Sequence, residues 1–317
     1  NTYIYMAIRR SHKPASEFAA NKLFSMDGAG NASGDPDFVS NDHVVDWAFL
    51  KLISGSEGAY ATARPTGSTY ISLSGSDQEA SDGTLDKDFQ SGFGDSASSA
   101  VANYQAWMFR RAKGFFDIVT YTGDGTSYSY AHNLGVTPEF KIIRIRNESF
   151  GWLVGGSAIT GGTVDYMLML NQDSAQANTN YWSAVDSATQ FSVKHSNFLS
   201  NANGYNYVAY LFATVAGISK VGSYTGTGSD LNVDCGFSAG ARFILIKRTD
   251  STGDWYVYDS VRGIVAGNDP YFLLNSTAAQ VTNTDYIDPL SSGFTVTSSA
   301  PAGLNASSGT YIFLAIA

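Results

Sequence analysis

Displaced by 103 positions, the middle of this sequence falls on itself without a gap. The stretch NYQAWMFRRAKGFFDIVTYTGDG, from Asn103, lies on NYVAYLFATVAGISKVGSYTGTG, from Asn206. The register pairs Tyr104 with Tyr207, Ala106 with Ala209, Phe109 with Phe212 and Gly114 with Gly217. It continues as EFKIIR from Glu139 covers RFILIK from Arg242, and Trp152, Val154 and Ser157 fall on Trp255, Val257 and Ser260. Farther along, DYMLMLN at Asp165 matches PYFLLN at Pro270, and Phe191 matches Phe294. A fixed internal period marks an array of like units and limits the fold to what one unit can form.

A third, more divergent copy precedes these two. KLFSMDGAG from Lys22 resembles KVGSYTGTG from Lys220, WAFLK at Trp47 resembles FILIK, and TYISLSGSDQEAS at Thr69 resembles YMLMLNQDSAQAN. This copy lacks the Trp strand and carries GAYATARP near Tyr60 in its place. Tyr3, Tyr104, Tyr207 and Tyr311 are spaced by 101, 103 and 104 residues, and each opens the closing strand of a unit. The first would close a unit that is missing, so the chain reads as cut from a longer tandem array.

Apolar residues alternate over short runs such as DIVTYTG, EFKIIRIR, WYVYDS, QFSV and YVAYLFA, divided by Gly, Asn, Asp and Ser clusters. These are strand signals, and about seven strands per ~100 residues is the density of a β-sandwich. The expected fold is therefore all-β, a tandem array of jelly-roll or lectin-like β-sandwich repeats of about 100 residues. Residues 1–18 would be a terminal strand plus linker, followed by sandwiches over 19–113, 114–216 and 217–317. KRTDSTGDWYVY reads as a hairpin turning at Asp250 to Asp254, and YTGDG and YTGTG as further hairpin turns. Helix is expected only at Ala15 to Lys22, capped by Ser16, and at NTNYWSAV after Asn178. The joints Ala112-Lys113-Gly114 and Val215-Ala216-Gly217 are short, which implies sandwiches held end to end in a stiff rod. The longer joint RRSHKPASEFAAN, after the first strand, is the expected hinge.

Composition narrows the function classes. A net charge of −9 and a pI near 4.8 oppose nucleic-acid binding, which draws on clustered Lys and Arg. The doublets Arg9-Arg10 and Arg110-Arg111 read as edge charges that discourage strand-to-strand aggregation. Cys235 is the single cysteine, so no intrachain disulfide framework exists. No apolar run approaches the ~20 residues of a membrane helix, and no membrane insertion is expected.

Candidate chemistry is sparse. GFSAG, Gly236 to Gly240, fits a nucleophile-elbow pattern, but that elbow needs a strand, a sharp turn, a helix and a downstream His. The last His, His195, precedes Ser238, so Ser238 reads as a turn serine. His12, His43, His132 and His195 stand singly, without the spacing that clasps a transition metal. Asp27, Asp35, Asp37 and Asp42 share a Gly-rich loop, yet they lack EF-hand spacing. The five glutamates, Glu17, Glu57, Glu79, Glu139 and Glu148, form no pair along a strand of the kind glycoside hydrolysis requires. No catalytic, cofactor-binding or metal residue is assigned. Trp152 and Trp255 share a repeat position and read as core, whereas Tyr181 and Trp182, outside the strand pattern, are the candidates for surface contact with a ligand such as a sugar.

HNLGVTPEFKIIR from His132, RFILIKRTDSTGDWYVYDSVRG from Arg242, YFLLNSTAA from Tyr271 and SGTYIFLAIA at the end resemble the tandem repeats of tail-fibre and other virion structural proteins of tailed, especially marine, phages. The resemblance covers residues 103 to 317 well and 1 to 102 more loosely, and VDCGFSAGARF departs from the His-Asn-Leu-Gly turn. It implies a non-enzymatic component of an extracellular particle, a spacer or adhesin without cofactor. Its implied partners are further copies of itself, other virion proteins and host-surface glycan. A bacterial cell-surface adhesin or an array of carbohydrate-binding modules is the alternative setting.

Overall fold

Runs rich in Val, Ile, Tyr and Phe, broken by glycine turns, fold as short antiparallel strands. The computed structural model describes residues 19–31, 34–41, 43–95, 101–160, 166–179, 181–182, 184–194 and 198–317. The strand expected at Tyr3, the hinge after it, His12, Asp42 and His195 lie outside them. Among the described residues the fold is all-β with only short helical turns, including Ala302–Asn305.

The strands fall into three blocks. Block one holds β1 (Phe24–Asp27), β2 (Phe38–Val39), β3 (Trp47–Leu52), β4 (Tyr60–Ala63), β5 (Thr69–Ser72), β6 (Ala80–Ser81), β7 (Leu85–Asp86), β8 (Gly92–Asp95) and β9 (Tyr104–Phe109). Block two holds β10 (Phe116–Thr122), β11 (Tyr128–Ala131), β12 (Phe140–Ile145), β13 (Trp152–Gly155), β14 (Tyr166–Met169), β15 (Ala177–Asn178), β16 (Gln190–Val193) and β17 (Asn206–Phe212). Block three holds β18 (Ser219–Thr225), β19 (Leu231–Asp234), β20 (Phe243–Arg248), β21 (Trp255–Asp259), β22 (Tyr271–Leu273), β23 (Ile287–Leu290), β24 (Gly293–Val296) and β25 (Thr310–Ile316).

The large sheets run β1-β9-β3-β4-β5-β6, β10-β17-β12-β13-β14-β15 and β18-β25-β20-β21-β22. Beside them lie the small sheets β2-β8-β7, β11-β16 and β19-β24-β23. Registers correspond as well: Trp47 faces Phe109, Phe140 faces Phe212, and Phe243 faces Ile316. The hairpin turning at Asp250 to Asp254 is present as β20 and β21.

Strands such as β12 are buried along their whole length because each large sheet is covered on both faces. One face packs with the small sheet of its own block, giving three separate clusters. The other face enters a core common to all three blocks, where Trp47, Phe49, Phe140, Ile142, Phe243 and Leu245 meet. The Trp47 and Tyr210 rings lie 4.8 Å apart across two blocks, and the void left at this meeting point is only about 10 Å³. The blocks are therefore not strung end to end. A strand hydrophobic on both faces needs two partners, and the second is supplied by the neighbouring blocks instead of by solvent.

Two local expectations also change. YTGDG and YTGTG are corners where the chain passes from the large sheet to the small one, β10 to β11 and β18 to β19. A Cβ at Gly123 would sit 2.2 Å from the Ala202 carbonyl oxygen, and one at Gly226 2.3 Å from that of Ala306, so close backbone approach demands glycine. No helix follows Asn178 among the described residues; β15 ends there and pairs with β14.

Candidate functional site: block junctions and an open cleft

Polar groups lock the blocks to one another in a cycle. Lys51, Arg144 and Lys247 occupy the same place in β3, β12 and β20, and all three are buried. Lys51 Nζ donates to the Ser276 carbonyl of block three at 2.5 Å, and Lys247 Nζ to the Asp173 carbonyl of block two at 3.1 Å. Arg144 donates to the carbonyls of Ser76, at 2.9 Å, and Asp77 in block one. Burial pushes Lys51 and Lys247 down to about 8 and Arg144 to about 10. Backbone bonds repeat the cycle: Glu79 N to Arg146 O at 2.7 Å, Gln176 N to Thr249 O at 2.8 Å, and Gln280 N to Ile53 O at 3.2 Å.

The indoles do the same. Trp152 Nε1 donates to Ser72 O and Trp255 Nε1 to Met169 O. In block one the register places Ala59 opposite Lys51, where Trp152 lies opposite Arg144 and Trp255 opposite Lys247. Trp107, from β9, closes that junction by donating to Asp259 Oδ2 at 3.1 Å.

Block one differs from the others in one respect that matters for binding. Between its two sheets lies a cleft of about 310 Å³ lined by Phe38, Leu50, Glu57, Tyr60, Thr62, Tyr70, Asp82, Leu85 and Tyr104 among others. The outer face of its large sheet carries Ala48, Thr62 and Ala106, where block three has Ile244, Tyr258 and Phe313 in register. Tyr60 Oη donates to Glu57 Oε1 at 3.1 Å and Tyr104 Oη to Glu57 Oε2 at 2.5 Å. Burial, then the Glu57 charge, pushes Tyr60 up to about 12. The counterparts of Tyr104 are used differently: Tyr207 and Tyr311 turn back on their own preceding loops, accepting from Ala202 N and Ala306 N.

Trp182 is not a surface residue. It is 3% exposed, its Nε1 donates to Tyr166 O at 3.0 Å, and Lys141 Nζ lies 4.1 Å from its ring centroid. The ring covers Gly155, whose glycine makes room for it, so no face is left for a sugar. Tyr181 is half-buried against the same cluster. Neither residue joins the cleft. Sequence reasoning missed the cleft because it depends on the space that Leu85 and Thr62 leave unfilled, and unfilled space carries no chemical signal.

The remaining candidates are held by local structure. Ser238 is exposed in a bend after β19, with no helix following it. His43 Nε2 lies 3.0 Å from Ser25 Oγ, and His132 Nε2 lies 3.1 Å from Ser187 O. Asp27 accepts from the backbone of Ala29 and Val39. Glu79 pairs with Arg146 at 2.7 Å across the first junction. Among the described residues no group of three or more His, Cys, Asp or Glu could hold a metal ion, and no helix is long and apolar enough to cross a membrane.

The profile of a domain of unknown function, DUF7483, matches residues 96–317. The chain belongs to the DUF7483 family. No match is found among curated proteins. The DUF7483 match takes in blocks two and three together with β9, the last strand of block one. Most of the cleft therefore lies ahead of the DUF7483 segment, which contributes Val101 and Tyr104 to it.

Proposed function

We propose that this chain is a non-enzymatic structural protein of a tailed-phage virion, a tail-fibre or tail-associated spacer that also contacts the host surface. In this reading the three blocks are copies of one jelly-roll-like β-sandwich of about 100 residues. The observation that carries it is the cyclic interlock. Lys51, Arg144 and Lys247, three fully buried cationic side chains, each donate to a carbonyl of a neighbouring block. Such a block resists shear between its parts, as a load-bearing spacer must. The motifs shared with tail-fibre repeats support the setting, and symmetric self-association and contacts with other virion proteins follow from it.

Mass spectrometry of purified particles tests the proposal. A virion part is present at a fixed stoichiometry; its absence from particles, with recovery on a bacterial cell surface, would overturn it. The open cleft of block one favours a second reading, a cell-surface adhesin or carbohydrate-binding module, and the same fractionation separates the two.

A further inference from the structure

We infer that the cleft between the sheets of block one is a binding site for a single non-acidic sugar residue. This deepens the adhesive part of the reading above, and its failure would leave the particle test untouched.

Leu85 and Trp182 are equivalent residues. Ser81 pairs with Thr69 and Asn178 with Tyr166, and Leu85 and Trp182 stand at the same distance beyond Ser81 and Asn178. In block two the indole fills the space between the sheets, lying over Gly155, which corresponds in register to Thr62. In block one the smaller Leu85 leaves that space open. The same fold is thus plugged in one copy and hollow in another, and the hollow copy has its polar groups rearranged around the opening.

Chemistry selects the ligand. Among the described residues the lining contains no Lys or Arg, while Glu57 and Asp82 supply carboxylates, so an acidic sugar or phosphate meets repulsion. Tyr60 and Tyr70 stand at 84° with ring centroids 5.4 Å apart, giving two aromatic walls for the C–H face of a pyranose. Two phenol hydroxyls already donate to Glu57, which lowers its appeal to a bare cation and leaves lone pairs suited to ligand hydroxyls. At about 310 Å³ the opening is near the lower end of the ~300–1,000 Å³ typical of small-ligand sites.

Saturation-transfer NMR on the full chain, with glucose, galactose, N-acetylglucosamine, glucuronic acid and choline as probes, tests the site. At least one neutral sugar is expected to bind with a Kd of about a millimolar or tighter, and glucuronic acid at least about tenfold more weakly. Leu85→Trp, introduced together with Thr62→Gly to open the seat that Gly155 gives Trp182 in block two, should abolish binding. Tyr70→Ala should weaken binding by about tenfold or more and serves if Leu85→Trp does not fold. No transfer to any neutral sugar, binding of choline alone, or sugar binding that survives both substitutions would overturn the inference.

Discussion

Trp152 Nε1 donates to the Ser72 carbonyl oxygen at 2.7 Å, joining block two to block one through a fully buried indole. Trp255 repeats the bond to Met169 at 2.9 Å one block farther on. Removing the ring leaves a cavity in the shared core and an unpaired carbonyl. Trp152→Ala is therefore expected to destabilise the whole chain by about 3–5 kcal/mol, and Trp152→Phe, which keeps most of the volume, by about 1–2 kcal/mol. Chemical denaturation monitored by circular dichroism measures both.

The buried lysines give stability an alkaline rise. Lys51 and Lys247 are held down to about 8, chiefly by burial, from an ordinary 10.5. The unfolded chain binds more protons than the folded one between these values, so stability increases as pH climbs from about 8 to about 10. Tyrosines act in the opposite sense. Tyr60, Tyr130 and Tyr207 are pushed up to about 12 by burial, and their contribution, complete below about pH 10, is lost as pH rises through 12. Melting temperature should climb, peak near pH 10 and fall. In a Lys51→Met, Lys247→Met double variant, scanning calorimetry should find a smaller climb, since Lys87, also held down to about 8 chiefly by burial, keeps its share.

Asp269 produces a slope at lower pH. Its carboxyl accepts from Tyr286 N and Ile287 N, yet burial, reinforced by Asp285 and Asp288, pushes it up to about 7. A raised carboxyl stabilises the fold below about pH 4, and the contribution is lost as pH rises through 7. The stability difference between wild type and Asp269→Asn should therefore be more favourable to wild type at pH 5 than at pH 8. Thermal melts at the two pH values check it, and an equal difference at both would remove Asp269 from the account of pH dependence.

Strand content was legible because alternation and glycine punctuation are local, and the buried pair Trp152 and Trp255 was legible because both sit in one repeat register. The shared core was not. A side chain such as Ile142 is apolar whether it meets a small sheet or a neighbouring block, and only the unbroken burial of β12 separates the cases. YVAYLFA, grouped with the alternating runs, is apolar without a break, as befits a strand covered on both faces. Trp182 misled because the 103-residue register sets Asp285 against it, so the repeat that exposed Trp152 as core gave no match for it. The cleft itself follows from what is missing at Leu85 and Thr62, and absent volume leaves no trace in a pattern of residue types.

The interlock is tested most directly by the one cysteine. Cys235 lies in block three, 5% exposed, with its thiol pushed up to about 12 by burial, so thiol reagents should reach it only on unfolding. Denaturant-dependent labelling of Cys235 should be followed in wild type and in Trp152→Ala, whose lesion lies in block two. A common core predicts that the labelling midpoint drops together with the fluorescence midpoint and by the same free energy. Cys235 keeping its wild-type protection while fluorescence reports earlier unfolding would contradict a common core and leave three independent modules.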